Sequence, residues 1–77
     1  MLKSHEAIKA VRDGHRIARA GWNGKGMFVY LEAGLAHTFK VTTYKPVLVL
    51  NTASGERQPG WVFSQDDLLS DDWEIVQ

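Results

Sequence analysis

The chain has 77 residues, no cysteine, and nine basic side chains against nine acidic ones. A chain of this length forms one domain, spanning 1–77, and buries only roughly 60% or slightly more of its unfolded surface. The composition excludes a disulfide or thiolate-zinc scaffold, and a net charge of zero argues against a general binder of nucleic-acid polymers.

Ser4 to Asp13 reads as a helix, because Ala7, Ile8 and Val11 fall on one face of a 3.6-residue period. Ser4 is its expected N-cap, Glu6 favours the positive end of the helix dipole, and Gly14 stops it in the left-handed conformation. A first strand follows over His15–Ala20, with Ile17 and Arg19 on one face. The Gly21–Gly26 turn leads to a second strand, Met27–Leu31, apolar on both faces and so expected to be covered on both. Glu32 to Pro46 reads as loop. Val47–Leu50 is a third strand, and Asn51–Glu56 a polar hairpin turn. Arg57–Phe63 is a fourth strand broken at Pro59-Gly60. Ser64 then opens a helical turn with Asp67 in a capping-box position, and Leu68 and Leu69 are expected to pack inward. Asp72–Val76 closes the chain as a strand with Trp73 and Ile75 on one face. The order predicts an α+β domain: a small antiparallel β-sheet with an N-terminal helix and a short C-terminal helical turn.

The N-terminus lacks a signal-peptide core, and no apolar run approaches the ~20 residues of a membrane span. A cytoplasmic, non-membrane protein is expected. Without disulfide or metal, self-association is the remaining way to stabilise so short a chain. Three Trp, three Phe and two Tyr supply interface material. Charge is divided unevenly: residues 1–45 hold eight Lys/Arg against three acids, and residues 46–77 hold one against six. The two halves either pair, within or between subunits, or are separately solvated.

Gly21-Trp22-Asn23-Gly24-Lys25-Gly26-Met27-Phe28 places two aromatic rings, an amide and a lysine on one turn. Glycine lets backbone N–H groups approach a ligand closely. Such a turn either holds a flat base beside a phosphate or is a tight hairpin with Trp22 folded onto the core. The C-terminal stretch Gly60-Trp61-Val62-Phe63-Ser64-Gln65-Asp66-Asp67-Leu68-Leu69-Ser70-Asp71-Asp72-Trp73-Glu74-Ile75-Val76 carries the second motif. Together with Gly14, Arg19, Gly21 and Trp22-Asn23-Gly24, it resembles a small phage family, the Thoeris anti-defence sponge proteins of the second type. Both motifs occur in the family's order and the likeness covers nearly the whole chain. Residues 32–59 are shorter and less family-like, the loop before the third strand being trimmed to Leu35–Pro46.

The resemblance implies a homotetramer without enzymatic activity, needing no cofactor. Its partner would be a cyclic nucleotide: the cyclic ADP-ribose signal that a bacterial Thoeris sensor makes, held so that the effector is starved. Some relatives also hold cyclic di- or trinucleotides at separate sites.

The candidate ligand residues are Arg19, Trp22, Asn23, Gly24, Lys25, Phe28, Ser64, Gln65 and Asp67. Trp22 either stacks on a base or sits in the core. Asn23 either bonds a base edge or ribose or is a left-handed turn residue. Phe28 is either core or the opposite wall of the pocket. Arg19 and Lys25 are phosphate partners, unless they are solvated or Arg19 pairs with a C-terminal Asp. The N–H groups at Ser64–Asp67 suit an anion, but Asp66 and Asp67 would repel a phosphate. A ribose hydroxyl bonded by Gln65 or Asp67 fits better, and Ser64 has helix capping as its other role. The four C-terminal aspartates lack a calcium-loop alternation, and no nucleophile–base arrangement is present. The competing readings are a nucleotide-cleaving enzyme, an inhibitor that binds a host protein, and a single-strand nucleic-acid binder.

Overall fold

The computed structural model describes residues 1–22, 25–32 and 45–76. The elements run α1 (Ser4–Arg12), β1 (Arg16–Arg19), β2 (Phe28–Glu32), β3 (Val47–Asn51), β4 (Arg57–Pro59), α2 (Gln65–Leu69) and β5 (Trp73–Val76). The strands form one antiparallel sheet in the order β4-β3-β2-β1-β5. This is the α+β arrangement expected from the sequence. Asn23, Gly24 and most of the expected loop between β2 and β3 lie outside the described residues.

Register explains which side chains meet the helix. Ile17 stands opposite both Val29 and Ile75, and Val29 opposite Leu50. Directly opposed residues share a face, so Ile17, Val29 and Leu50 form one apolar row. Against it α1 sets Ala7, Ala10 and Val11, and Trp73 completes the core, with Ile17, Val29 and Trp73 wholly buried. Two alanines on the inner face of α1 allow the helix to approach the sheet closely. Trp61 and Phe63 pack around the margin of this core.

The alternate face of the sheet carries Arg16, Ala18, Phe28, Tyr30 and Val49. No helix packs there among the described residues, since α1 meets β1, β2 and β5 from the core side and α2 meets α1. The second strand is therefore packed by a helix on one side only, through Val29 and Leu31, while Phe28 and Tyr30 are half-buried on the other.

Three local expectations are corrected. Lys3, not Ser4, is the N-cap of α1: the Glu6 carboxylate accepts from the Lys3 N–H at 2.9 Å, and the Ser4 hydroxyl instead donates to the Leu68 carbonyl. The fourth strand ends at Pro59, where Gly60 takes φ +82° and the Gly60 and Trp61 N–H groups both donate to the Leu48 carbonyl. Leu68 and Leu69 do not pack inward; they are 43% and 81% exposed. A helix of five residues has one inner position to fill, and Asp67 takes it. Ile75 shares its face with Trp73, as expected, and is 44% exposed because β5 is an edge strand. The N-terminal segment pairs with β5 only at Leu2, which exchanges two backbone hydrogen bonds with Trp73.

Among the described residues no helix is long and apolar enough to cross a membrane. Trp73 is the largest wholly buried side chain. Trp73→Ala is expected to cost about 3–5 kcal/mol, most of what a domain this small possesses. Ile17→Val should cost only about 0.5–1.5 kcal/mol. Urea unfolding followed by tryptophan fluorescence distinguishes the two.

Candidate functional site

Arg19 ends β1 and points to the core side, toward the C-terminal segment. Its Nε donates to Asp72 Oδ1 at 2.9 Å, and its Nη1 to Asp66 Oδ2 at 2.9 Å and Asp67 Oδ1 at 3.0 Å. The Arg19 and Asp67 side chains are only 13% and 10% exposed, Asp72 is 30% exposed and Asp66 is 83% exposed. The buried arms therefore matter most, since an exposed ion pair contributes little. The basic and acidic halves of the sequence meet here within one chain. The cation that these three aspartates hold is a guanidinium. Among the described residues no cluster of His, Cys, Asp or Glu is spaced to hold a metal.

Asp67 is engaged at both oxygens. Oδ1 faces Arg19, and Oδ2 accepts from the Ser64 N–H at 2.9 Å while the Ser64 hydroxyl accepts from the Asp67 N–H at 3.0 Å. The capping box expected at Ser64 is thus present. Burial alone would raise the Asp67 pKa, but the hydrogen bonds from Ser64 and Arg19 outweigh it and hold the carboxyl below the usual range. The Asp72 carboxyl is lowered chiefly by its bond from Arg19, assisted by the Gly21 N–H. The same carboxylates push the Arg19 pKa up, those of Asp72 and Asp66 most.

Beyond Arg19 the chain turns. Asp72 Oδ2 accepts from the Gly21 N–H at 2.9 Å, and the Trp22 N–H bonds the Arg19 carbonyl at 3.2 Å. Trp22 folds back toward the core with its ring edge-on to Trp73 (centroids 5.5 Å) and Trp61 (6.0 Å). It remains half-buried and lines a cavity of about 410 Å³ together with Arg19, Lys25, Met27, Phe28 and Glu74. Both readings of Trp22 thus have a structural counterpart. Phe28 lies outside the buried core cluster and lines the same cavity.

The structure therefore brings Arg19, Trp22, Lys25 and Phe28 to one concavity. Ser64, Gln65 and Asp67 are not among its lining residues; Asp67, capped by Ser64, meets the cavity wall through Arg19, and Gln65 is exposed on the same helix. Asn23 and Gly24 lie outside the described residues. Three carboxylates pair with the Arg19 guanidinium, whereas Lys25 makes no ion pair among the described residues and shares the cavity with one carboxylate, that of Glu74.

Sequence reasoning missed a second constellation. Arg16 stands over the Phe28 ring at 4.7 Å, Phe28 lies 5.9 Å from Tyr30, and Arg57 is 6.0 Å from the Tyr30 ring. These four side chains line a second cavity of about 230 Å³. The Tyr30 hydroxyl is buried and has no hydrogen-bond partner among the described residues. The alternation of Val29 and Leu31 with Phe28 and Tyr30 was the available signal for a shared face; the pairing of Val29 with Ile17 turns that face away from the helix.

Because the folded-state pKa values of Asp67 and Asp72 lie below the ordinary value of about 3.9, their contribution to stability is present above that value and is lost as pH falls through the lowered ones. Stability of the wild-type protein should therefore be level toward neutral pH and fall steeply below about pH 4. Arg19→Gln should be less stable at neutral pH, by about 3–5 kcal/mol if the buried carboxylates find no substitute partner, and its acid slope should be shallower. Urea midpoints measured across pH test both.

A family model described as the Thoeris anti-defense 2-like domain matches residues 2–76. Thoeris anti-defense 2 of Bacillus phage SP01 is 31% identical over 81 residues, covering 92% of this chain and 90% of that protein. A match across almost the whole chain, with the Arg19 turn and the capped α2 segment both inside it, establishes that the chain belongs to the Thoeris anti-defence 2-like family.

Proposed function

We propose that this protein serves phage anti-defence by binding a cyclic nucleotide immune signal, a cyclic ADP-ribose isomer of Thoeris, and sequestering it uncleaved in the host cytoplasm. The observation that carries this reading is the cavity of about 410 Å³ in which Trp22 and Phe28 offer ring faces or edges and Lys25 an ammonium. Its volume falls in the range of small-molecule sites, roughly 300–1,000 Å³. A base stacked on an aromatic ring gains about 1–3 kcal/mol, and a phosphate beside Lys25 adds a charge-assisted bond. Asn23 and Gly24 flank Trp22 in sequence and belong to the same proposed turn. Arg19 forms a wall, and Ser64 and Asp67 support that wall rather than touching the ligand. Gln65 is exposed on the same helical turn but does not line the cavity, so in this reading it meets only a ribose that extends beyond it.

Sequestration requires tight ground-state binding and no selective stabilisation of a transition state. Asp67 and Asp72 are tied to Arg19, and the carboxylate that lines the cavity, Glu74, has no hydroxyl, thiol or imidazole nucleophile beside it among the described lining residues. The reading extends to cyclic oligonucleotides, for which the second cavity offers two guanidinium groups above two rings. We further propose a homotetramer. Val62 and Leu69 are 79% and 81% exposed, and such side chains are suited to contact between copies.

Native mass spectrometry with a panel of cyclic nucleotides, followed by heat release and chromatography, tests the whole reading. A ligand captured in stoichiometric amounts and returned intact supports sequestration; a cleaved product identifies an enzyme. Trp22→Ala should assemble normally and bind roughly 5- to 150-fold more weakly. Wild-type affinity in the folded variant refutes the stacking role.

A further inference from the structure

We infer that Asp72, which does not line the larger cavity, is its positioning residue: one carboxylate fixes both the strand end and the turn on which Trp22 stands. The inference rests on the reading of that cavity as the ligand site. Asp72 uses its two oxygens in different directions. Oδ1 accepts from Arg19 Nε at 2.9 Å, and Oδ2 accepts from the Gly21 backbone N–H at 2.9 Å. The Asp72 carbonyl also accepts from the Ala20 N–H at 3.0 Å. Three consecutive residues before Trp22 are thus tied to one residue 53, 52 and 51 positions along the chain, at the start of the β5 edge. Trp73, the next residue, packs edge-on against Trp22 at 5.5 Å and donates from Nε1 to the Asp67 carbonyl at 2.9 Å. Backbone and ring of the Trp22 segment are therefore referenced to the same short stretch.

Gly21 shows why the contact is specific. A Cβ at this position would come within 2.9 Å of Asp72 Oδ2. Unlike Gly14, Gly26, Gly55 and Gly60, Gly21 does not require a positive φ. An alanine there is compatible with the backbone and conflicts only with the carboxylate. The glycine keeps the approach to Asp72 open.

The expected effects separate positioning from simple charge pairing. In Asp72→Asn the side-chain amide presents a donor to either the Arg19 Nε–H or the Gly21 N–H, so one of the two bonds is lost. Hydrogen exchange of the Gly21 and Trp22 amides should accelerate by about tenfold or more, and affinity for cyclic ADP-ribose should fall by a similar factor. Gly21→Ala should reproduce both changes while leaving the Arg19 cluster its charges. Asp66→Asn removes the exposed arm of the same arginine and should alter both readouts by less than about twofold. Exchange is measured on the ligand-free full chain. If the wild-type protein binds no cyclic nucleotide, the function proposed above fails while exchange still decides whether Asp72 sets the turn. Unchanged exchange in Asp72→Asn, or equal effects in Asp66→Asn and Asp72→Asn, would overturn the assignment. So would failure of both Asp72→Asn and Gly21→Ala to fold, since the contact would then belong to the fold as a whole.

Discussion

A single guanidinium joins the parts of this domain that the hydrophobic core does not reach. The core is built from one face of the sheet and the inner stripe of α1. The five-residue α2 contributes no leucine to it, because Leu68 and Leu69 face outward. A helix so short does not persist on backbone hydrogen bonds alone. What holds α2 is the Ser64–Asp67 cap, the Ser4 hydroxyl on the Leu68 carbonyl, and the pairing of Asp67 with Arg19. Burying such a pair is not a large gain in itself, because desolvation offsets the Coulombic attraction. Its effect is directional: a planar fork with several fixed donors accepts carboxylates only from particular places. Arg19 thereby specifies where the C-terminal segment lies against β1.

That placement reaches the candidate site through Trp22. The ring sits among Trp61 and Trp73, with Phe63 4.9 Å from Trp61 and 5.4 Å from Trp73. Edge-on aromatic contacts of this kind add specific geometry to area burial. A side chain held by two neighbours and still lining a cavity is preorganised, and preorganisation reduces the ordering that binding must otherwise impose. For a protein whose proposed task is capture alone, a rigid platform is more useful than a mobile one.

The elements were legible because their signals were local. Periodicity gave α1, Gly14 stopped it, the apolar run gave β3, and Ser64 with Asp67 gave the cap of α2. The misassignments came from longer-range competition. Leu68 and Leu69 look like core by hydropathy, but Asp67 won the inner position because a buried arginine needed a carboxylate there. For Arg19 the sequence admits a phosphate or a C-terminal aspartate as partner, because the three aspartates that surround it lie about fifty residues away. The Arg16–Phe28–Tyr30–Arg57 face was unread because β2, apolar from Phe28 to Leu31, conceals which of its sides meets the helix until the register with Ile17 is known.

The distribution of charge now has a physical meaning that its total lacks. A protein of zero net charge has no long-range field to gather a polyanion, whose binding depends on many cations and releases many counterions. A small cyclic nucleotide needs only a few charges, provided they are local and incompletely compensated. The Arg19 cluster consumes much of the acidic excess of the C-terminal half, since three of its six acids face that one guanidinium. With those three carboxylates paired to Arg19, Glu74 is the acid that lines the cavity with Lys25 among the described residues. The same cluster that ties down the Trp22 turn therefore takes three carboxylates out of the balance, so a total of zero does not describe the charge that a small anion would meet at the cavity wall.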